Sequence, residues 1–158
     1  MKFSILLLTI GIPGSGKTTW VESYHQTYPR SFVISTDNIR EELFGTSVCN
    51  PNQNEMVHTE ARRRVKEILD NPKYYEGEYP LGPTIVVDST NCEPFEWFSY
   101  KRLGATINIA KIFPITPEQA MQRQQERDRI VPFSVLENKW HTYLKHKDLI
   151  PKIFNMII

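Results

Sequence analysis

Two cysteines, Cys49 and Cys92, are all that the 158 residues contain. That is too few for a disulfide scaffold, and neither sits in a metal-ligand spacing. A reducing, cytoplasmic setting is expected. The four histidines, His25, His58, His141 and His146, share no metal-ligand spacing either. Long apolar runs are missing: no window approaches the ~18 uninterrupted apolar residues of a membrane-spanning helix, so no membrane span is expected. Met1-Lys2-Phe3-Ser4 and the apolar residues up to Ile10 have the outline of a leader. No small-residue cleavage site follows, and the run reads as a buried strand. Excess charge is missing too. A net charge of +1 gives no global pull on polyanions, so a site for one must be a local cluster of Arg and Lys. No repeat and no low-complexity tract is visible.

What remains fits one soluble domain over residues 1–158, with 40% apolar and 23% charged residues. Four short runs rich in Ile, Val or Phe read as strands: Phe3–Ile10, Ser31–Ser35, Thr84–Val87 and Ala105–Phe113. Helical segments lie between and after them, at Lys17–Tyr28, Asp37–Leu43, Asn54–Asp70, Pro94–Leu103, Pro117–Arg127 and Pro132–Lys147. Within Asn54–Asp70, Met56, Val57, Ala61, Val65, Ile68 and Leu69 recur at helical spacing. Strands alternating with helices predict an α/β fold with a parallel sheet and helices on both faces. Gly45–Gln53 and Asn71–Pro83 read as loops. The apolar end, "DLIPKIFNMII", reads as a last piece of core, with a dimer contact as its alternative; the oligomeric state stays open.

The stretch "LLLTIGIPGSGKTTW", from Leu6 to Trp20, is an apolar run broken by glycines. Gly11 to Thr18 fits G-x-x-x-x-G-K-[ST], with a strand entering and a helix leaving. Such a loop turns backbone N–H groups towards phosphate oxygens, and the helix behind it adds the positive end of its dipole. Gly14, Ser15, Gly16, Lys17, Thr18 and Thr19 are the expected cradle for a nucleoside triphosphate, ATP or another, since no base-reading motif is legible. Lys17 can bridge the β- and γ-phosphates, and the Thr18 hydroxyl can join a Mg²⁺ shell.

Three further stretches bear on what the phosphate meets. In "STDNIR", Asp37 and Arg40 are three apart and share a helix face at the end of a strand. A carboxylate there can take a proton from an attacking hydroxyl, and an arginine beside it can hold an anion on the acceptor. The alternative is a helix cap at Asp37 and a surface arginine. In "VVDSTN", Asp88 ends an apolar strand, the position of an acid that holds the Mg²⁺ shell. Spacing does not divide the roles of base and metal ligand between Asp37 and Asp88. Thr90 and Asn91 read as braces of the turn. Arg123 and Arg127, four apart, form either a solvated face or a lid over the triphosphate at about 120–132, with Arg129 following. Arg62-Arg63-Arg64 reads mainly as a solvated helix face, with contact to a phosphate backbone as the alternative.

The order "GIPGSGKTTW", "STDNIR", "VVDSTN", then R-x-x-x-R followed by Val-Pro, resembles the kinase domain of bacteriophage polynucleotide 5′-kinase and its end-healing relatives. It is more loosely similar to a broad set of small P-loop kinases. The resemblance runs from the first strand to about Val135. It implies a four-stranded parallel sheet flanked by helices, with a helical arginine lid and a C-terminal helix and tail over 132–158. It implies Mg²⁺-dependent transfer of the γ-phosphate of ATP to the 5′-hydroxyl end of DNA or RNA, in nucleic-acid repair. Asp37 would be the general base and Arg40 the clamp on the phosphate 3′ of the terminal nucleoside. Arg127 and Arg123 would hold the donor phosphates, and Asp88 would match an acid near Arg40. Two departures stand out. No D-x-D-x-T motif is present, so no 3′-phosphatase activity is expected. The lid is one residue shorter between Arg127 and Pro132 than the phage pattern. A kinase for a small-molecule hydroxyl (nucleoside, sugar or nucleotide-sugar) and a non-catalytic nucleotide-binding switch remain the alternatives.

Overall fold

The computed structural model describes residues 3–76, 82–124 and 130–158. The elements run β1 Ile5–Ile10, α1 Lys17–Thr27, β2 Phe32–Ser35, α2 Thr36–Phe44, α3 Pro51–Asp70, β3 Thr84–Asp88, α4 Pro94–Lys101, β4 Ile107–Ile112, α5 Pro117–Gln124, α6 Phe133–His146, α7 Ile150–Ile153 and β5 Met156–Ile157. Short 3₁₀ turns occupy Pro72–Tyr75 and Lys147–Leu149. The sheet has the order β2-β3-β1-β4-β5, with every neighbouring pair parallel.

The central strand β1 is buried on both faces, which explains its unbroken apolar sequence. On one face Leu6, Leu8 and Ile10 pack with Val57, Ala61 and Val65 of α3 and with Trp97 and Tyr100 of α4. On the other face Leu7 packs with Val86 and with Val21 of α1, edged by Trp20 and Tyr24. A third cluster of Ile12, Cys92, Ala120 and Leu136 sits where α5 and α6 meet the loop after β1. Among the described residues no helix is long and apolar enough to cross a membrane.

The sheet has five strands where the sequence pattern leads to four. The missed strand is Met156–Ile157, whose side chains are exposed, so no burial pattern marks it. It is held by backbone geometry. Asn155 N–H donates to the Asn108 carbonyl and Asn155 Oδ1 accepts from Asn108 N–H, both at 2.8 Å. The tail before it packs as expected, with Ile150, Ile153 and Phe154 in the main core. Helix α3 also starts earlier than its apolar spacing suggests. The Asn50 side chain caps it by accepting from Asn52 N–H at 3.0 Å, and Pro51 fills the first turn. The loop there is accordingly shorter than Gly45–Gln53.

Asn155→Ala removes the side-chain half of the β4–β5 junction. It is expected to lower stability by about 1 kcal/mol and to speed hydrogen exchange at Asn108 and Ile112. Amides of β1 and β3 are expected to keep their protection. Native-state hydrogen exchange resolves the two groups.

Candidate active site

The phosphate loop is fixed at both ends before any ligand is considered. Thr9, near the end of β1, donates its hydroxyl to the carbonyls of Val87 and Ser89, and its oxygen accepts from Ser89 N–H. Gly11 N–H donates to the Thr90 carbonyl at 3.0 Å. The Asn91 side chain donates to the Thr9 carbonyl at 2.9 Å, so Asn91 is the brace its sequence position suggests. These bonds lock the carboxyl ends of β1 and β3 together, between strands whose chain connections lead to opposite sides of the sheet. That is where open α/β sheets bind ligands.

Within the loop, Gly14 (φ 82°) and Gly16 (φ 93°) take the left-handed conformation that a side chain resists. A Cβ on Gly14 would lie 3.3 Å from the Ala120 carbonyl oxygen, so α5 is seated directly on the loop. A Cβ on Gly16 would lie 3.6 Å from a guanidinium nitrogen of Arg123. Arg123 therefore stands beside the cradle. Gln124, buried, accepts from Val131 N–H at 2.7 Å and donates to its carbonyl at 3.2 Å. Arg127 and Arg129 lie outside the described residues.

Lys17 is buried, and its ammonium donates to the Ile12 carbonyl at 2.7 Å and to Ser15 Oγ at 3.3 Å. Burial lowers its pKa to about 8, against the opposing pull of Cys92, Asp88 and Asp37. The Thr18 hydroxyl donates to Asp88 Oδ2 at 3.0 Å. Asp88 is buried at the end of β3, and burial raises its pKa, opposed by the Thr18 bond and by Lys17. A hydroxyl and a carboxylate in contact are hard oxygen donors of the kind magnesium prefers. They stand beside a glycine cradle and a buried cation, so the residues present fit Mg²⁺ with a nucleoside triphosphate. Of the two acids, Asp88 is the one in contact with Thr18.

The other acid takes a different position. Helix α2 is capped by Ser35, whose Oγ accepts from Asn38 N–H at 3.3 Å. Asp37 is thus free of the capping role and stays exposed. It accepts from Arg40 Nη1 at 2.7 Å. Arg40 is no surface residue: it is 5% exposed, its Nη2 donates to Asn54 Oδ1 at 3.3 Å, and its buried Nε has no partner among the described residues. A guanidinium this enclosed, with a single carboxylate partner at its Nη1 edge, is a planar fork of the kind that pairs with anions.

A cleft of about 230 Å³ opens beyond the end of β3, lined by Thr90, Cys92, Glu93 and Glu96 on one side and by Lys139 and Thr142 of α6 on the other. Glu96 is absent from the sequence-based site. Burial pushes its carboxyl up to about 7. Its Oε1 lies 3.7 Å from Nε2 of His58 on α3. Burial, with Arg62 and Arg40 nearby, lowers His58 to about 4, so at neutral pH the imidazole is uncharged and the contact is no ion pair. His58 Nδ1 and the Tyr100 hydroxyl are buried without partners among the described residues. Burial also raises the pKa of Cys92, to about 11, which leaves its thiol protonated and inert. Nothing local in the sequence announces this cluster, because His58 and Glu96 meet only when α3 lies along α4.

Comparison with known proteins places the chain. It matches the AAA domain family over residues 6–149 and belongs to that family. Among solved structures it is similar to a chain of the Pnkp1/Rnl/Hen1 RNA repair complex, with a TM-score of 0.74 and 21% identity over 95% of this chain. It spans 47% of that chain, less than half its length. A gluconokinase from Sinorhizobium meliloti 1021 gives a TM-score of 0.65 at 13% identity, covering 100% of this chain and 83% of the other. A shikimate kinase from Acinetobacter baumannii gives 0.57 at 16%, with the same coverage. The fold is that of a P-loop kinase, and family membership implies nucleoside triphosphate binding.

Burial of His58 and Glu96 side by side generates opposed pH dependences. Glu96, raised from 4.5 to about 7, contributes stability that is present below pH 4.5 and lost as pH rises through 7. His58, lowered from 6.5 to about 4, contributes stability that is present above pH 6.5 and lost as pH falls through 4. Between the two ordinary values the slopes offset each other. Glu96→Gln is therefore expected to gain roughly 2–3 kcal/mol relative to wild type as pH rises across that window, and His58→Gln to lose a similar amount. Urea denaturation of the three proteins at three pH values checks both signs.

Proposed function

We propose that the protein is an ATP- and Mg²⁺-dependent polynucleotide 5′-hydroxyl kinase. The observation that carries this reading is Arg40, a buried arginine whose Nε is unpartnered among the described residues, bonded to the exposed carboxylate of Asp37. A base and an anion clamp side by side suit an acceptor whose reacting hydroxyl neighbours a phosphate. A 5′-terminal nucleoside with its 3′-phosphodiester has that form. The resemblance of "STDNIR" and "VVDSTN" to the polynucleotide kinases supports the same assignment, as does the likeness to a chain of an RNA repair complex.

In the proposed mechanism Arg40 binds the phosphate 3′ of the terminal nucleoside and so points the 5′-hydroxyl at the donor. Asp37 accepts the hydroxyl proton. The freed oxygen forms a bond to the γ-phosphorus as the bond to the β–γ bridging oxygen breaks, and the electron pair leaves on ADP. Lys17 and the N-terminus of α1 hold the triphosphate, and Arg123, with Arg127, bears on the donor phosphates from the lid. Thr18 and Asp88 would hold magnesium, which supplies positive charge along the triphosphate when bound. Charge neutralisation and alignment account for most of the rate in such transfers, so each of these groups matters through its position.

A second reading has its own observation. The cleft after β3, with Asn138, Lys139 and Thr142 on one wall and Thr90, Glu93 and Glu96 on the other, offers hydrogen-bonding groups to a small polyol or acid. Under that reading an oligonucleotide is no better an acceptor than a small alcohol.

Transfer of label from γ-³²P-ATP separates the two. A 5′-hydroxyl oligonucleotide is expected to take label, and its 5′-phosphorylated counterpart, gluconate, shikimate and free nucleosides are not. Asp37→Asn is expected to cost ~10²–10⁴-fold in kcat. Arg40→Ala is expected to raise KM for the oligonucleotide roughly 10–100-fold, with ATP binding intact. Label in a small molecule and none in the oligonucleotide selects the second reading.

A further inference from the structure

A second concavity lies on the outer face of the α3–α4 pair, apart from the site above. This groove of about 480 Å³ is lined by Arg62, Arg63 and Lys66 on one side and by Phe95, Ser99 and Arg102 on the other. No carboxylate lines it. Its cations differ in their commitments. Arg63 bonds Glu60 and Glu67, and Lys66 bonds Asp70. Arg62 reaches the Thr59 hydroxyl at 3.4 Å, and among the described residues neither Arg62 nor Arg102 meets a carboxylate. Phe95 is 68% exposed, a large apolar ring left in water. In a chain of net charge +1 this is a marked local segregation.

The groove is also tied to the acceptor clamp. Helix α3 begins beside Arg40, through the Asn54 bond, and its far end reaches the start of β2, where Tyr74 just beyond it packs on Phe32. Arg62 comes eight residues after Asn54, about 12 Å along the helix axis at 1.5 Å per residue. A chain whose first phosphate lies on Arg40 can continue over Phe95 towards Arg62 and Arg102. Cations spaced along a groove with an exposed ring are what a flexible phosphodiester chain uses: phosphates on guanidinium groups, a base on the aromatic face. An acidic peptide would use the cations and leave the ring without a partner.

We infer that the α3–α4 groove binds single-stranded nucleic acid downstream of its 5′ end, with Arg62 and Arg102 on the backbone and Phe95 under a base. This rests on the polynucleotide reading of Asp37 and Arg40. It assigns Arg62, a member of the Arg62-Arg63-Arg64 run, to substrate recognition.

The test compares wild type with Arg62→Ala/Arg102→Ala and with Phe95→Ala. Each is given a long oligothymidylate, a long oligouridylate or thymidine 3′-phosphate as acceptor, at about 50 and about 200 mM salt. The double variant is expected to lose roughly tenfold in kcat/KM on the long acceptors at the lower salt. Its salt slope should be shallower by about 1.4, since each lost single-strand phosphate contact removes about 0.7. Turnover of thymidine 3′-phosphate should be unchanged, and Arg62→Lys/Arg102→Lys should restore the slope. Phe95→Ala should lose several-fold on long acceptors alone. An unchanged long-acceptor rate, or an equal loss on all acceptors, overturns the inference.

Fluorescence anisotropy of a labelled oligothymidylate reads the groove separately from turnover. If no acceptor takes label, the polynucleotide reading fails. The groove then stands only if binding of the strand is still weakened in the double variant, and it falls if binding is unaffected. Binding of poly-glutamate as tightly as the oligonucleotide, and lost in the same variant, also overturns it in favour of a protein partner.

Discussion

The hydroxyl of Thr9 sets where everything else in the site can be. It donates to the carbonyls of Val87 and Ser89 and accepts from the Ser89 amide, joining the ends of two neighbouring parallel strands. Two parallel strands cannot be joined by a tight turn, so their ends have no covalent reason to stay in register. The hydroxyl supplies that register at the point where it matters. With it fixed, the loop leaving β1 brings Thr18 to 3.0 Å from Asp88 at the end of β3. Without it, the two oxygen donors belong to segments seventy residues apart in the chain. The buried cation Lys17, the inert thiol of Cys92 and the brace at Asn91 all sit within that junction.

Buried ionisable groups here divide by what compensates them. Lys17 has a carbonyl and a hydroxyl for its protons and a carboxylate in reach, and Asp88 has a hydroxyl and that same lysine. Arg40 is bonded on two of its nitrogens, and the third, buried, has no partner among the described residues. His58, Glu96 and Tyr100 have the least, and they respond by staying or moving towards neutral. This gradient separates groups whose charge is needed from groups that are merely polar and enclosed. The charged ones face the loop and the clamp; the neutral ones lie beneath, between α3 and α4.

Local chemistry was legible in the sequence and distant chemistry was not. The phosphate loop is a run of adjacent residues whose glycines carry their own conformational meaning. Asp37 and Arg40 share a helix turn, so their contact follows from spacing alone, and the structure adds that the arginine is buried. The contact between Thr18 and Asp88 needed the strand order, which the alternating pattern gives only in outline. The His58–Glu96 cluster and the alignment of Arg62 with Arg102 and Phe95 had no sequence signal, since both depend on how α3 lies along α4. The arginine run is instructive: Arg63 and Arg64 are the solvated, acid-paired residues their composition suggests. Their neighbour Arg62 differs in having no carboxylate partner among the described residues. The fifth strand was hidden because two exposed residues carry no periodicity, and Asn155 does its work through the backbone of Asn108.

Helix α3 has a consequence of a different kind, that of a measuring rod. Its 20 residues make a rigid body about 30 Å long, anchored to α2 through Asn54 at one end and to the main core through Val57, Ala61 and Val65 along its length. Anything that lies on it is metered from the reacting end in steps of a helical turn. A single inserted residue between Asn54 and Arg62 would turn the far part by about 100° and shift it by about 1.5 Å. The apolar stripe would leave the core and the cations would swing away from α4 together. A length change in this helix therefore breaks two demands at once, the packing of its apolar stripe and the placing of its cations beside α4.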